Sequence, residues 1–212
     1  LYWISSAGVI SIATSNAIYY RTNAFLANLR ATFSALSLLP IPTISAVSSM
    51  ALGGGLELAL CTHFRVFSST SIVGLPETRL GIIPGAGGTY RLPALIGLSR
   101  ARDMILTGRR VSGPEAYFLG LAERLVEVVP KEGEAREETL KRSGEETLKG
   151  AVALAQEICM GGPTAVRAAL QAVGWAREEV ENKCYEKVLE TEDRDEALLA
   201  FREKRRPLFT GR

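Results

Sequence analysis

Ala51-Leu52-Gly53-Gly54-Gly55-Leu56-Glu57 is followed, twenty positions after its glutamate, by a second acid in Gly74-Leu75-Pro76-Glu77. The second stretch runs on through Thr78-Arg79-Leu80-Gly81-Ile82-Ile83-Pro84 into Gly85-Ala86-Gly87-Gly88. Each glutamate thus stands against a glycine-rich turn. A glycine triplet alone reads as a tight turn. This one follows an apolar run read as a strand and opens a helical pattern. There the first N–H groups lack intrahelical partners and, with the helix dipole behind them, suit a ligand oxygen. Taken singly, Glu57 is a first-turn acid favoured by the dipole, and Glu77 a cap or surface acid. Taken together, in a mostly apolar surround that raises carboxyl pKa values, they form a candidate pair for proton transfer beside an oxyanion-binding turn.

Outward from these turns, strands and helices alternate. Thr22 to Leu38 has helical spacing at Phe25, Leu26, Leu29, Phe33 and Leu36, and Pro40 and Pro42 stop it. Short strands are expected at Pro42–Val47, Phe64–Phe67, Ile72–Val73 and Leu125–Val129. Helices are expected at Leu56–Leu60, Gly87–Ile96, and from a Ser99 cap to Gly108. Ser112-Gly113-Pro114-Glu115 reads as a capping box for a helix ending at Gly120. This alternation predicts an α/β fold with parallel pairing. Lys131 to Gly150 reads as a charged linker and a solvated first helix turn. Helical patterns follow at Thr147–Cys159, Pro163–Trp175, Glu178–Leu189 and Asp195–Arg205.

The 212 residues, 47% hydrophobic and 23% charged, suit one globular domain with a helical extension. A net charge of +2 gives no electrostatic footprint for nucleic acid. Residues 1–130 hold 10 Arg and 6 acids, and no lysine occurs before Lys131; the later helices carry the remaining, balanced charge. Cys61, Cys159 and Cys184 fit no metal spacing and read as reduced thiols. Leu1–Tyr20 lacks a basic leading region and is too polar for a membrane span. The single histidine, His63, reads as a helix-end or core residue. Arg79, Arg91, Arg100 and Arg102 read as surface ion-pairing groups, with phosphate binding as the alternative.

The blocks Ile44-Ser45-Ala46-Val47, Ala51 to Ala59, Gly74 to Leu80, Ile83 to Thr89 with Arg91-Leu92-Pro93, and Thr107-Gly108-Arg109-Arg110 occur in one order. The tail Phe201-Arg202-Glu203-Lys204-Arg205-Arg206-Pro207 completes the set. From about Asn23 onward the chain resembles the enoyl-CoA hydratase/isomerase (crotonase) family, most of all its methylglutaconyl-CoA hydratase branch. The resemblance implies a crotonase-like βαβ spiral core over residues 1–130, with 1–22 outside the family pattern. It implies a helical oligomerisation region over 131–212.

The implied activity is syn addition of water to a 2-enoyl-CoA thioester, with methylglutaconyl-CoA of leucine breakdown as one substrate. An enoyl-CoA isomerase is the alternative, as is a catalytically impaired acyl-CoA-binding or subunit-interaction protein. The resemblance implies that Glu57 is the base on water and that Glu77 delivers a proton to the α-carbon. By the same resemblance the Gly54 N–H holds the thioester carbonyl, and the Gly85 N–H helps hold the water. It places Phe201 and Lys204 near the adenine end of coenzyme A. It implies no cofactor, since coenzyme A is part of the substrate, and no metal. It also implies a trimer or hexamer, with Leu189, Ala197, Leu198 and Phe201 as an apolar stripe, and a mitochondrial matrix location.

The family's leading strands and their Ala-Gly-Ala-Asp turn have no clear counterpart before Asn23. Ser6-Ala7-Gly8-Val9-Ile10 offers Ala7 as a second oxyanion donor. The expectation is a truncated core with little hydratase activity.

Overall fold

Two adjacent parallel strands lead into the turns that carry the two glutamates. The computed structural model describes residues 15–212; Ala7 lies outside the described residues. In chain order the elements are α1 (Ser15–Ser37), β1 (Ile44–Val47), β2 (Met50–Leu52), α2 (Gly54–Ala59), β3 (Phe64–Ser68) and β4 (Ile72–Gly74). A 3-10 turn at Glu77–Leu80 follows, then α3 (Gly88–Ile96), α4 (Leu98–Thr107), β5 (Arg110–Ser112), α5 (Gly113–Leu119) and β6 (Arg124–Val126). Four helices end the chain: α6 (Arg136–Ile158), α7 (Pro163–Trp175), α8 (Glu178–Leu189) and α9 (Glu192–Glu203).

The expected parallel pairing is present in two three-stranded sheets. One has the order β1-β3-β6, all parallel; the other is β2-β4-β5, with β2 parallel and β5 antiparallel to β4. The chain steps from the first sheet to the second at Ser48–Ser49 and again at Ser69–Ser71. Sequence periodicity missed β2 and β5, which at three residues each are too short to show an alternation. Leu56, Phe67, Val73, Leu75, Leu92 and Met104 are completely buried in the core between these elements. Each contributes roughly 1.5–3 kcal/mol by leaving water.

At the sheet-to-sheet steps the ladder is interrupted, and hydroxyls take over. Thr70 Oγ1 and Ser143 Oγ donate to the Ser48 carbonyl at 3.0 and 2.9 Å, and Ser143 Oγ also bonds Ser68 Oγ at 2.7 Å. Ser143 lies in the run expected to be linker. There α6 is already helical, and Thr139, Ser143, Thr147 and Ala151 form a buried stripe four residues apart. Because three of the four carry hydroxyls, the stripe has no hydrophobic signature.

Two cap expectations need correction. Ser99 lies inside α4, whose N-cap is Gly97 at φ 82°. Ser112 accepts from the Glu115 N–H, and Gly120 closes α5 in the left-handed region, as the capping box requires. The Glu115 carboxylate, however, turns to Arg109 Nη1 at 2.6 Å and does not complete the reciprocal half.

Gly113 opens α5 where a Cβ would stand 1.9 Å from the Ser68 carbonyl oxygen and 2.7 Å from Ser71 Oγ. A carbonyl in the main chain cannot swing away as a side chain can. Gly113→Ala is expected to destabilise the fold by about 1–3 kcal/mol or more; urea unfolding at an unchanged m-value measures it.

The described chain packs as two units, one with residues up to Leu38 and Thr43–Ala151, the other with Leu39–Pro42 and Val152–Arg212. The division falls inside α6. Within the second unit α7 and α8 pack together, and the C-terminal strap returns to α9. The buried Asp193 carboxylate accepts from the Thr210 and Gly211 N–H groups at 2.6 and 2.9 Å.

Candidate active site

The second sheet brings the two acids together. In β2 and β4, Leu52 stands beside Gly74, and the next N–H, that of Gly53, donates to the Gly74 carbonyl at 2.9 Å. Glu57 and Glu77 therefore both leave the carboxyl ends of neighbouring parallel strands, where open α/β sheets place their sites. Gly53 adopts φ 54°, ψ −126°, a conformation open to glycine, and a Cβ there would lie 3.2 Å from Glu77 Oε1. The glycine thus makes the turn into α2 and lets the Glu77 carboxyl lie against it.

Glu57 is buried in the first turn of α2. Its Oε1 accepts the N–H groups of Ala86 and Gly88, each at 2.8 Å. Gly88 is the first residue of α3 and follows Gly87 at φ 115°. The carboxylate therefore occupies the N-terminal end of a second helix, where orphan donors and the dipole favour an anion. No hydrogen bond from the described residues falls on its Oε2. The resemblance assigns Gly85 to the water and names no donors to Glu57; these are the N–H groups of Ala86 and Gly88.

Glu77 opens the 3-10 turn and is also buried, and its Oε2 has no hydrogen-bond partner among the described residues. Burial pushes its carboxyl above the ordinary value of 4.5; its own backbone N–H acts the other way, and the nearby Glu57 adds to the rise. An unpartnered buried carboxyl oxygen is costly in a native protein and marks a place where chemistry is expected.

Gly54 is the first residue of α2 and is exposed, and its N–H has no hydrogen bond among the described residues. Its carboxylate neighbour Glu57 is three residues on. Cys61 lies below, its thiol donating to the Glu57 carbonyl at 3.0 Å. Burial pushes that thiol up to about 11, with Arg91 opposing and Glu57 adding, so it is not a nucleophile.

The arginines take other partners than the expected surface acids. Arg91 Nη1 donates to the Ala86 carbonyl at 3.0 Å and its guanidinium sits 4.7 Å from the Tyr90 ring centre. Arg79 Nε donates to the Thr107 carbonyl at the end of α4, and Arg100 Nη1 to the Leu119 carbonyl. His63 Nδ1 accepts the Thr43 N–H at 3.1 Å, joining the start of β1 to β3. Burial, with Arg65 nearby, lowers its pKa, consistent with a structural neutral imidazole.

Phe201 and Lys204 belong to the second unit. Both are exposed, and Lys204 closes α9 in the left-handed region at φ 54°. Among the described residues no group of three or more His, Cys, Asp or Glu could hold a metal, and no helix is long and apolar enough to cross a membrane.

Comparison with known proteins places this geometry. The family model for enoyl-CoA hydratase/isomerase matches residues 7–212, starting earlier than the motifs suggest. The chain is 68% identical over 198 residues to methylglutaconyl-CoA hydratase 1, mitochondrial, of Pyricularia oryzae, covering 90% of this chain and 57% of that protein. It is 64% identical over 193 residues to an enoyl-CoA isomerase/hydratase of Zymoseptoria tritici, covering 90% of this chain and 62% of that one. The chain therefore spans about three fifths of the length of these relatives. The crystal structure of an enoyl-CoA hydratase from Bacillus anthracis matches with a TM-score of 0.80 at 39% identity, over 91% of this chain and 71% of that one.

Proposed function

Because the chain belongs to the enoyl-CoA hydratase/isomerase family, we propose that its two buried glutamates carry out syn hydration of a 2-enoyl-CoA thioester. The observation that supports this most is the unequal pair: Glu57 held by two N–H donors, and Glu77 buried with an unpartnered oxygen beside it. Glu57 accepts a proton from water through Oε2 while the water oxygen bonds to the β-carbon. The π electrons move to the thioester oxygen, to which the Gly54 N–H donates, with Ala7 as the second donor. Glu77 then gives its proton to the α-carbon, and the thioester carbonyl reforms. Gly85 helps to hold the water. One donor of this kind is worth roughly 3–4 kcal/mol of barrier.

Methylglutaconyl-CoA is the proposed substrate, on the strength of the 68% identity to a hydratase of that name. A mitochondrial matrix location is proposed with it, supported by the word mitochondrial in that relative's name. No cofactor is required, since coenzyme A arrives with the substrate; Phe201 and Lys204 would meet its adenine end. Association into trimers or hexamers is proposed through α8 and α9, where Leu198 and Phe201 are exposed. Isomerisation is the second reading, favoured by the isomerase/hydratase name of the Zymoseptoria relative. Loss of absorbance from crotonyl-CoA and conversion of a 3-enoyl-CoA, assayed on one preparation, separate the two. No turnover of either thioester by the purified protein would refute both.

The raised pKa of Glu77 carries a sign. As proton donor it works in its neutral form, so kcat is expected to fall as pH rises through the elevated value. A kcat profile between about pH 5 and 9 checks this. A rate that only rises across the range would contradict the acid role.

A further inference from the structure

The peptide group joining Gly85 to Ala86 is gripped at both ends. Its N–H donates to Glu57 Oε1 at 2.8 Å, and its carbonyl accepts from Arg30 Nε at 2.6 Å. Arg30 lies on α1, 55 positions earlier in the chain. The helix is seated on the same turn by packing. Leu26 Cδ2 lies 3.1 Å from where a Cβ on Gly85 would be, and Phe33 is buried with Ala86 and Cys61. α1 contains no acidic residue, so the guanidinium has no ion-pair partner on its own helix.

Taking Glu57 as the base, as proposed above, we infer that Arg30 is a positioning residue for Glu57, acting through the Gly85–Ala86 peptide. The physical reason is the rigidity of the peptide plane. Carbonyl and N–H point in opposite directions from one flat group, so holding the oxygen aims the hydrogen. The turn needs that help, because Gly85 and Gly87 on either side of Ala86 leave its backbone freer than any other residue type would. A cation on the carbonyl also polarises the plane and strengthens donation from its N–H. Arg91 holds the next peptide group by its Ala86 carbonyl; the N–H of that group, on Gly87, is not one of the two donors to Glu57. The carboxylate is thereby aimed by a helix from which no described residue hydrogen-bonds to it.

The test combines amide exchange with kinetics on the full chain, in Arg30→Met, Arg30→Lys and, as control, Arg21→Met on the exposed surface of the same helix. Arg30→Met is expected to speed exchange of the Ala86 amide at least about tenfold, while the core amides of Val66 and Phe67 stay protected. It is expected to lower kcat for crotonyl-CoA by about tenfold with KM within about twofold, since small misplacement of a reacting group is felt mainly in turnover. Arg30→Lys recovers most of both effects, and Arg21→Met changes neither. Unchanged Ala86 exchange in Arg30→Met overturns the inference. So does faster exchange with unaltered kcat, or equal change in kcat and KM that Lys does not rescue. If Arg30→Met loses core protection as well, the comparison of Arg30→Lys with the parent decides by the same criteria. If the parent protein hydrates no enoyl-CoA yet Ala86 exchange still responds to Arg30, the grip on the peptide stands and the proposed function is what fails.

Discussion

Glu57→Gln and Glu77→Gln are each expected to lower crotonyl-CoA hydration by at least about 10²-fold, the lower end for positioned acid and base groups. Glutamine keeps the shape of either side chain. At position 57 it also keeps an oxygen for the Ala86 and Gly88 N–H groups, so the start of α3 stays capped. What is lost is the ability to take or give a proton. The two variants should differ in stability. The folded-state pKa of Glu77 is raised, so well below 4.5 the carboxyl is neutral in both folded and unfolded chains and has no effect. As pH rises through the elevated value, the buried group must ionise in an apolar place, and stability is lost. Glutamine does not titrate. The melting temperature of Glu77→Gln should therefore gain on that of the parent as pH rises from acid to neutral, while turnover falls. Full turnover in either variant would remove that glutamate from the chemistry, and a melting difference independent of pH would remove the buried-charge account of Glu77.

Glu123→Ala should unfold the first unit more readily by an amount between the about 1 kcal/mol of an exposed pair and the about 3–5 kcal/mol of a fully buried one, because Arg65 is buried while the Glu123 side chain is a third exposed. Arg65, on β3, is 2% exposed. Its guanidinium donates to the Leu121 and Thr62 carbonyls at 2.7 and 2.8 Å and closes on the Glu123 carboxylate. Glu123 in turn accepts the Arg65 N–H at 2.6 Å. Removing the carboxylate leaves the cation buried without a counter-charge. Replacing both residues together, as in Arg65→Met with Glu123→Leu, should recover much of the loss, because an apolar pair leaves no orphan charge. Urea melts of the single and double variants measure this. A Glu123→Ala loss below about 1 kcal/mol, the range of surface pairs, would mean the site admits water.

Much of this protein is legible in its sequence because local chemistry dictates it. Glycine at 53, 87, 97 and 120 marks turns with positive φ. Proline at 163 marks a helix start, and the spacing of Leu26, Leu29, Phe33 and Leu36 marks the buried face of α1. Phe25, on the same spacing count, is exposed, because helical periodicity alone does not show how wide the covered stripe is. The Glu57 and Glu77 motifs name the acids and the α/β class from residue type and order.

Other features arise only when distant segments meet. β2 and β5 are strands because β4 lies between them. α6 begins early because its buried stripe is built of hydroxyls that no hydrophobic pattern announces: Ser143 meets Ser48 and Ser68 across the sheets, while Thr139 and Thr147 bond back to carbonyls four residues earlier. The donors to Glu57 proved to be Ala86 and Gly88, and the carbonyls on which Arg30, Arg79 and Arg91 close belong to turns and helix ends. Main-chain N–H and C=O groups are the same at every residue, so sequence cannot say which of them a side chain will meet. Residue type determined that this chain carries two acids against glycine turns; only the packed backbone decided which acid is held by two donors and which is left with an unpartnered oxygen.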